Sequence, residues 1–133
     1  MREGELPGGV YQAGIESADV IDEPGNSATV KPLARATEGS SSVSVTWVSI
    51  DGRHQELASL RSARLYYVLS GDLSFVLAGR GPTAVAAGEL LVIPKGCPYY
   101  LEGTATYLVL NTPAFEAGDD AYTGDHRPGG SGR

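Results

Sequence analysis

The chain has 133 residues, of which 41% are hydrophobic and 20% are charged. This length and this balance predict one globular domain and exclude a disordered chain. The formal net charge of -6 also disfavours a nucleic-acid partner, because the binding of phosphates requires a basic surface.

The lone cysteine, Cys97, excludes an internal disulfide, so nothing indicates an oxidising compartment. The first residues, MREGELPGG, lack the apolar segment of a signal peptide. No apolar run approaches the roughly 20 residues that a membrane-spanning helix needs. We therefore expect a soluble, cytoplasmic protein with no membrane partner.

In chain order, the first predicted elements are a polar, turn-rich arm at 1–28 and a short strand at 29–33. The segment RHQELASLRSARL (53–65) is the best helix candidate, but its leucines match helical spacing poorly. Residues 116–133 are rich in Gly, Pro and charge. These patterns predict flexible N- and C-terminal segments around a folded domain at 29–115.

Predicted strands dominate from Val43 onward. The runs are SVSVTWVSI, RLYYVLS, DLSFVLA, TAVAAG, ELLVIPKG, YYLEG and ATYLVLNTP. Gly or Pro marks their boundaries, and many short strands bounded in this way are typical of a β-sandwich or a small barrel. Gly71 separates RLYYVLS from DLSFVLA, which predicts a strand, a tight turn and a second strand. The fold class is therefore predicted to be all-β.

Residues 43–115 resemble a cupin, a small jelly-roll β-barrel. Gly88, Pro94 and Gly96 stand at the spacing of the second cupin motif, with Tyr99 in the position of its histidine. Gly71 matches the glycine that ends the first motif, and Arg64 then takes the position of its glutamate. The resemblance implies a cupin-like jelly-roll barrel that lacks the usual metal-binding histidines and glutamate.

The cupin metal site uses imidazole nitrogens and a carboxylate. This chain has two histidines, His54 and His126, which are too few for a three-histidine site. A guanidinium in the carboxylate position would also repel a divalent cation. We therefore expect no bound metal and no other cofactor.

Arg64 is the first candidate binding residue. Strand alternation puts Arg64, Tyr66 and Val68 on one face, and the resemblance implies that this face and Tyr99 look into the barrel. A buried arginine is costly unless an anion meets it, so Arg64 is expected to hold a carboxylate or phosphate of a small ligand. The alternatives are an internal ion pair with an acid such as Glu56 or Glu89, or a side chain that reaches the barrel mouth.

Tyr66, Tyr99 and His54 are the candidate proton-transfer groups. The tyrosine hydroxyls suit donors or general acids, or else the rings pack in the core with satisfied hydroxyls. His54 is the candidate general base, or else a solvated turn residue after Asp51-Gly52. Some cupins catalyse sugar epimerisation without metal through a histidine base and a tyrosine acid, and His54 with Tyr99 resembles such a pair.

Three functions remain open. The first is a metal-independent enzyme of isomerase, epimerase, dehydratase or cyclase type, acting on a small polar or anionic metabolite. In it Tyr99 is the acid, His54 the base and Arg64 the anchor, with Tyr66 and Glu56 in the ligand site. The second is a non-catalytic small-molecule-binding or assembly module on a degenerate barrel. The third is a metal enzyme with Tyr99, His54 and Glu56 as ligands.

The outer faces of the predicted strands also carry large apolar side chains, among them Trp47, Tyr67 and Leu69. Cupins commonly pair through strand edges and outer sheet faces. We therefore expect a homodimer that covers this surface.

Overall fold

The computed structural model describes residues 4–123, so His126 and the end of the predicted tail lie outside the described residues. Nine strands in this range form one curled antiparallel sheet. They are β1 (Ile21–Glu23), β2 (Ala28–Ala34), β3 (Ser44–Arg53), β4 (Leu57–Ser59), β5 (Ala63–Leu77), β6 (Pro82–Ala86), β7 (Leu90–Ile93), β8 (Tyr99–Thr112) and β9 (Asp120–Tyr122).

The helical content of residues 4–123 is limited to three single-turn 3-10 helices, at Pro7–Gly9, Ile15–Ser17 and Pro24–Asn26. None of these described helices is long and apolar enough to cross a membrane. The candidate helix at 53–65 is instead the end of β3, a short connection, β4, a turn and the start of β5. The predicted all-β class is confirmed, and the curled sheet is a jelly-roll barrel.

Strand β8 is the centre of the sheet, since it pairs with β3 along one edge and with β5 along the other. The register places Tyr107 of β8 between Val48 of β3 and Val68 of β5. All three side chains point inward and are buried, and the burial of each contributes roughly 1.5–3 kcal/mol. The same alternation turns Arg64 and Tyr66 of β5 inward, as predicted.

The predicted hairpin at Gly71 is wrong, because β5 runs through this residue without a turn. A bulge between Val68 and Ser70 bends the strand, and β8 follows the bend from Tyr99 to Thr112. Gly71 has a φ of +79°, and a Cβ at this position would collide with the carbonyl oxygen of Thr104. The glycine therefore serves a bend with close backbone approach, not the end of a strand.

The sheet extends beyond residues 29–115 at both ends. Ile21–Glu23 pairs with β2, and Asp120–Tyr122 pairs with β4. Each segment is held in the sheet by strand pairing and by polar contacts. Neither has enough alternating apolar residues for a strand to be predicted from sequence. Strand β9 carries one of these contacts into the barrel interior.

Candidate functional site

The barrel interior contains a narrow cavity of about 20 Å³ that is open at one end. The inner faces of β2, β3, β5 and β8 form most of its wall, and aromatic and aliphatic side chains fill the interior below it. Its polar lining residues are Glu23, Thr46, His54, Arg64, Tyr66, Tyr107 and Asn111. The cavity thus brings together three of the five residues predicted for the site.

Arg64 extends into this cavity from β5, and its side chain is only 3% exposed. Its Nη2 donates to Oδ1 of Asp120, whose side chain is 7% exposed. The alternative of an internal ion pair is therefore correct, but the partner is Asp120 and not Glu56 or Glu89. Burial lowers the pKa of Arg64, but the oxygens of Tyr99, Tyr66 and Asp120 outweigh this effect and raise it above its ordinary value. Arg64 is a permanent cation.

Two hydrogen-bond donors of the cavity have no partner within residues 4–123: Nε of Arg64 and Nδ2 of Asn111. Arg64 and Asn111 are register partners on β5 and β8, and both are buried. A buried donor without an acceptor costs about 1–3 kcal/mol. The pair is therefore suited to an oxygen atom of a bound molecule, which would accept from both donors.

Tyr66 lines the cavity, whereas Tyr99 is fully buried behind it. Their hydroxyl oxygens are 2.5 Å apart, and the rings meet edge to face with centroids 5.9 Å apart. Burial raises the pKa of Tyr99 well above its ordinary value, with Tyr66 adding to the rise and Arg64 opposing it. Tyr99 is thus a neutral phenol, and its hydroxyl lies behind the cavity in contact with the hydroxyl of Tyr66 and the guanidinium of Arg64.

His54 lies just after β3 and lines the cavity, so the alternative of a solvated turn residue is wrong. Its Nδ1 is 2.9 Å from the carbonyl oxygen of Gln55. An acceptor at this distance requires the proton on Nδ1, which leaves Nε2 as the basic nitrogen of the neutral ring. Asn26 fixes the local backbone, because its Oδ1 accepts from the backbone N–H of Gln55 at 3.2 Å.

Glu56 does not join the other candidate residues. Its Oε1 accepts from Oγ1 of Thr123 at 2.8 Å, and the residue is not part of the cavity lining. Glu56 lies between Gln55 and β4, where its carboxylate helps to hold β9 beside β4. Sequence reasoning missed several polar residues: Glu23, Thr46, Tyr107 and Asn111 in the lining, and Asp120 as the partner of Arg64.

The cavity lining holds one imidazole and one carboxylate, His54 and Glu23, which is fewer ligands than the cupin metal site uses. Within residues 4–123 no three His, Cys, Asp or Glu side chains are grouped as ligands. The centre of the polar wall is the Arg64 guanidinium, which donates hydrogen bonds and offers no lone pair. These groups suit an oxygen acceptor instead.

Asp119 and Arg61 hold the segment that carries Asp120. Nε and Nη2 of Arg61 donate to the two Asp119 carboxylate oxygens at 2.8 and 3.1 Å. Nη2 of Arg61 also donates to the carbonyl oxygen of Ala114 at 3.0 Å. The hydrogen bond from Arg61 lowers the pKa of the Asp119 carboxyl, against the opposing effect of burial. This bidentate ion pair fixes the position of β9 relative to the barrel.

We expect the ion pair between Arg61 and Asp119 to make the stability of the folded protein depend on pH. Because the folded-state pKa of Asp119 is depressed, its contribution is complete above the unfolded pKa of about 3.9 and is lost as the pH falls through the folded value. The melting temperature of Asp119→Asn should therefore approach that of the parent protein as the pH falls below about 4. Asp19→Asn, at an exposed ion pair with Arg35, is the control. A difference between Asp119→Asn and parent that is constant with pH would contradict the pairing.

No family model matches the chain, and no curated protein matches its sequence. Solved structures do match. Streptomyces PAC13 with uridine has a TM-score of 0.75 and 23% identity, over 85% of this chain and 89% of that chain. Pac13 is described as a nucleoside dehydratase. KdgF from Halomonas sp. has a TM-score of 0.68 and 20% identity, over 80% of this chain and 96% of that chain.

The polyketide cyclase RemF from Streptomyces resistomycificus also matches, with a TM-score of 0.67 and 22% identity, over 83% of this chain and 89% of that chain. These neighbours have the cupin fold. The chain therefore adopts the cupin fold, which confirms the architecture that the glycine and proline spacing predicts.

Proposed function

We propose that the protein is a metal-independent enzyme that transfers a proton at a carbon atom next to a carbonyl group of a small polar metabolite. One observation carries the proposal: a buried histidine with a basic Nε2 lines the same cavity as two donors without partners, Arg64 Nε and Asn111 Nδ2. A base and an oxygen-binding pair are the two requirements of enolisation.

In the proposed step, Nε2 of His54 takes the proton from the carbon, and the C–H bonding electrons form a carbon–carbon double bond. The carbonyl oxygen becomes an enolate oxygen, which Arg64 Nε and Asn111 Nδ2 hold. Return of a proton to the opposite face of that carbon gives an epimer, whereas return to the original face restores the substrate. Loss of a hydroxyl from the next carbon gives a dehydration product, with His54 or Tyr66 supplying the proton that leaves in water. The hydroxyl of Tyr99 supports Tyr66 through their 2.5 Å contact.

Of the polar and the anionic substrates predicted from sequence, we propose the neutral polar class. The charge of Arg64 is already balanced by Asp120, and the acidic side chain of Glu23 lines the same cavity. A second full negative charge would therefore meet no net positive charge. A carbonyl or hydroxyl oxygen needs only the two donors.

Two features of the structural neighbours support this proposal. They include a nucleoside dehydratase and a polyketide cyclase. PAC13 structures with uridine carry a substituted histidine or a substituted tyrosine, and these residue types line this cavity as His54 and Tyr66.

The test is hydrogen exchange at carbon. A panel of small aldehydes and hydroxyketones is incubated with the protein in heavy water, and NMR follows the loss of the C–H signal. His54→Gln should slow exchange by at least about 10²-fold. His126→Gln, at the other histidine of the chain, is the matched control and should retain the parent rate. Equal rates in His54→Gln and parent would contradict the role of His54.

A non-catalytic binding module is the second candidate. It is favoured by the internal pairing of Tyr66 with Tyr99 and of Arg64 with Asp120, which is how structural core residues satisfy their polar groups. Ligand binding without any exchange at carbon, across the whole panel, would support it over the enzyme.

We also propose a homodimer, through the outer face of the sheet. Two rows of apolar side chains cross β3, β8, β5 and β7 on this face; by register they are Trp47, Leu108, Tyr67 and Leu90, and Val45, Leu110, Leu65 and Val92. Leu90 and Val92 are 55% and 54% exposed in the single chain. An apolar surface of this extent supports a partner surface of the same kind.

Light scattering should therefore give twice the chain mass at micromolar concentration. Val92→Lys should shift the mass to that of one chain, because a charge would be buried in the interface. Leu60→Lys is the matched control, since Leu60 is 56% exposed and lies in the turn between β4 and β5. A parent protein with the mass of one chain would contradict the dimer.

A further inference from the structure

The polar cavity continues into a wider apolar groove at the barrel mouth. The groove has a volume of about 340 Å³. Its floor and sides include Pro32 and Ala34 of β2, Thr46 of β3, and Phe115 and Ala117 after β8. Most of these side chains are apolar, which contrasts with the donors and acids around Arg64.

The register shows that groove and cavity share one surface. Val30 pairs with Val48, and Pro32 pairs with Thr46, so these residues succeed one another along the inner face of β2 and β3. Val30, Thr46 and Phe115 line both spaces. A molecule in the groove would therefore reach the cavity without crossing a wall of the barrel.

Phe115 stands at the junction. Its backbone N–H donates to Oγ of Ser44 at 2.8 Å, which fixes the residue against the start of β3. Its ring centroid is 5.9 Å from Cζ of Arg64. Phe115 thus presents one apolar surface to the groove while contacting the cation of the polar cavity.

We propose that the ligand of this site has two parts: a carbonyl-bearing head group held by Arg64 and Asn111, and an apolar ring or chain that lies in the groove between β2 and Phe115. The inference rests on the proposed function for the head group and extends it by naming the substrate class, an amphipathic carbonyl compound. The continuous inner face carries the argument, since burial of apolar surface in the groove adds affinity that the narrow polar cavity alone does not supply.

The test compares two neutral probes with the same head group, acetamide and 2-naphthamide, by calorimetry or ligand-observed NMR. The naphthyl probe should bind at least about tenfold more tightly. Ala36→Trp places a large ring at the edge of the groove. It should weaken the binding of 2-naphthamide by about tenfold and leave the affinity for acetamide unchanged. Ala84→Trp, at an exposed position on β6, is the matched control.

Three results would overturn the two-part ligand. They are equal affinity for the two probes, 2-naphthamide binding that survives both Ala36→Trp and a second groove variant, Ala117→Trp, and 2-naphthamide binding that survives Asn111→Ala. Melting curves of each variant verify folding. The same preparation of the parent protein is used for the probes and for the hydrogen-exchange assay. If no hydrogen exchange occurs but the probes still bind, the proposed reaction is therefore contradicted and the proposal of a two-part ligand is not.

Discussion

Arg64→Met is expected to lower the free energy of unfolding by about 3–5 kcal/mol, the range found when one partner of a buried ion pair is removed. The substitution keeps the length and apolar stem of the side chain but takes the guanidinium away from Asp120. Because that carboxylate is only 7% exposed, water cannot replace the lost partner fully. Chemical denaturation monitored by circular dichroism would measure the change.

The pairing of Arg64 with Asp120 reverses the sign of the stability change that the removal of an unpaired arginine would give. Removal of an unpaired buried guanidinium would raise the melting temperature, whereas removal of a paired one lowers it. The double variant Arg64→Met with Asp120→Asn removes both charges and should recover most of the loss. Arg35→Met, which breaks an exposed pair with Asp19, should cost less than about 1 kcal/mol. An Arg64→Met protein as stable as the parent would contradict the buried pair.

The face of β5 that forms the site could be predicted from sequence, because side chains alternate along a strand whatever the strand pairs with. Arg64, Tyr66 and Val68 are all buried, as this alternation requires. The same reasoning applied to β8 would have found Asn111, which follows Tyr107 and Val109 on the inner face of that strand. The missing step was to extend the alternation to the last predicted strand.

The partner of Arg64 was beyond sequence reasoning. Asp120 lies 56 positions further along the chain, in a segment whose Gly and Asp residues are typical of a flexible tail. The strand forms there because β4 offers an edge and Arg61 holds Asp119. Tertiary contacts of this kind leave no local pattern. The burial of His54 has a similar origin, in the contact between Asn26 and the neighbouring Gln55.

Gly71 shows why a correct strand pattern gave a wrong connection. Glycine is typical of turns, of bulges and of close backbone approach, and the sequence alone does not distinguish these three roles. At Gly71 and at Gly103 the same strand continues on both sides of the glycine. Each glycine faces the backbone of the adjoining strand, at Thr104 and Asp72 respectively. The two residues bend the β5–β8 pair around the barrel.

The Gly71→Ala variant tests whether Gly71 lies in a turn or in a bend where two strands approach closely. A methyl group at a positive φ costs about 1–2 kcal/mol, and Gly79→Ala measures this cost alone, because Gly79 has a φ of +76° with no atom within 4 Å of an added Cβ. At Gly71 the Cβ would also meet the Thr104 carbonyl oxygen and lie 2.9 Å from Cα of Ala105. Backbone on both strands would have to move, so the total loss should reach about 3–5 kcal/mol. Unfolding of the two variants side by side gives the answer: a Gly71→Ala protein no less stable than Gly79→Ala would mean that β5 and β8 do not approach closely at this bend.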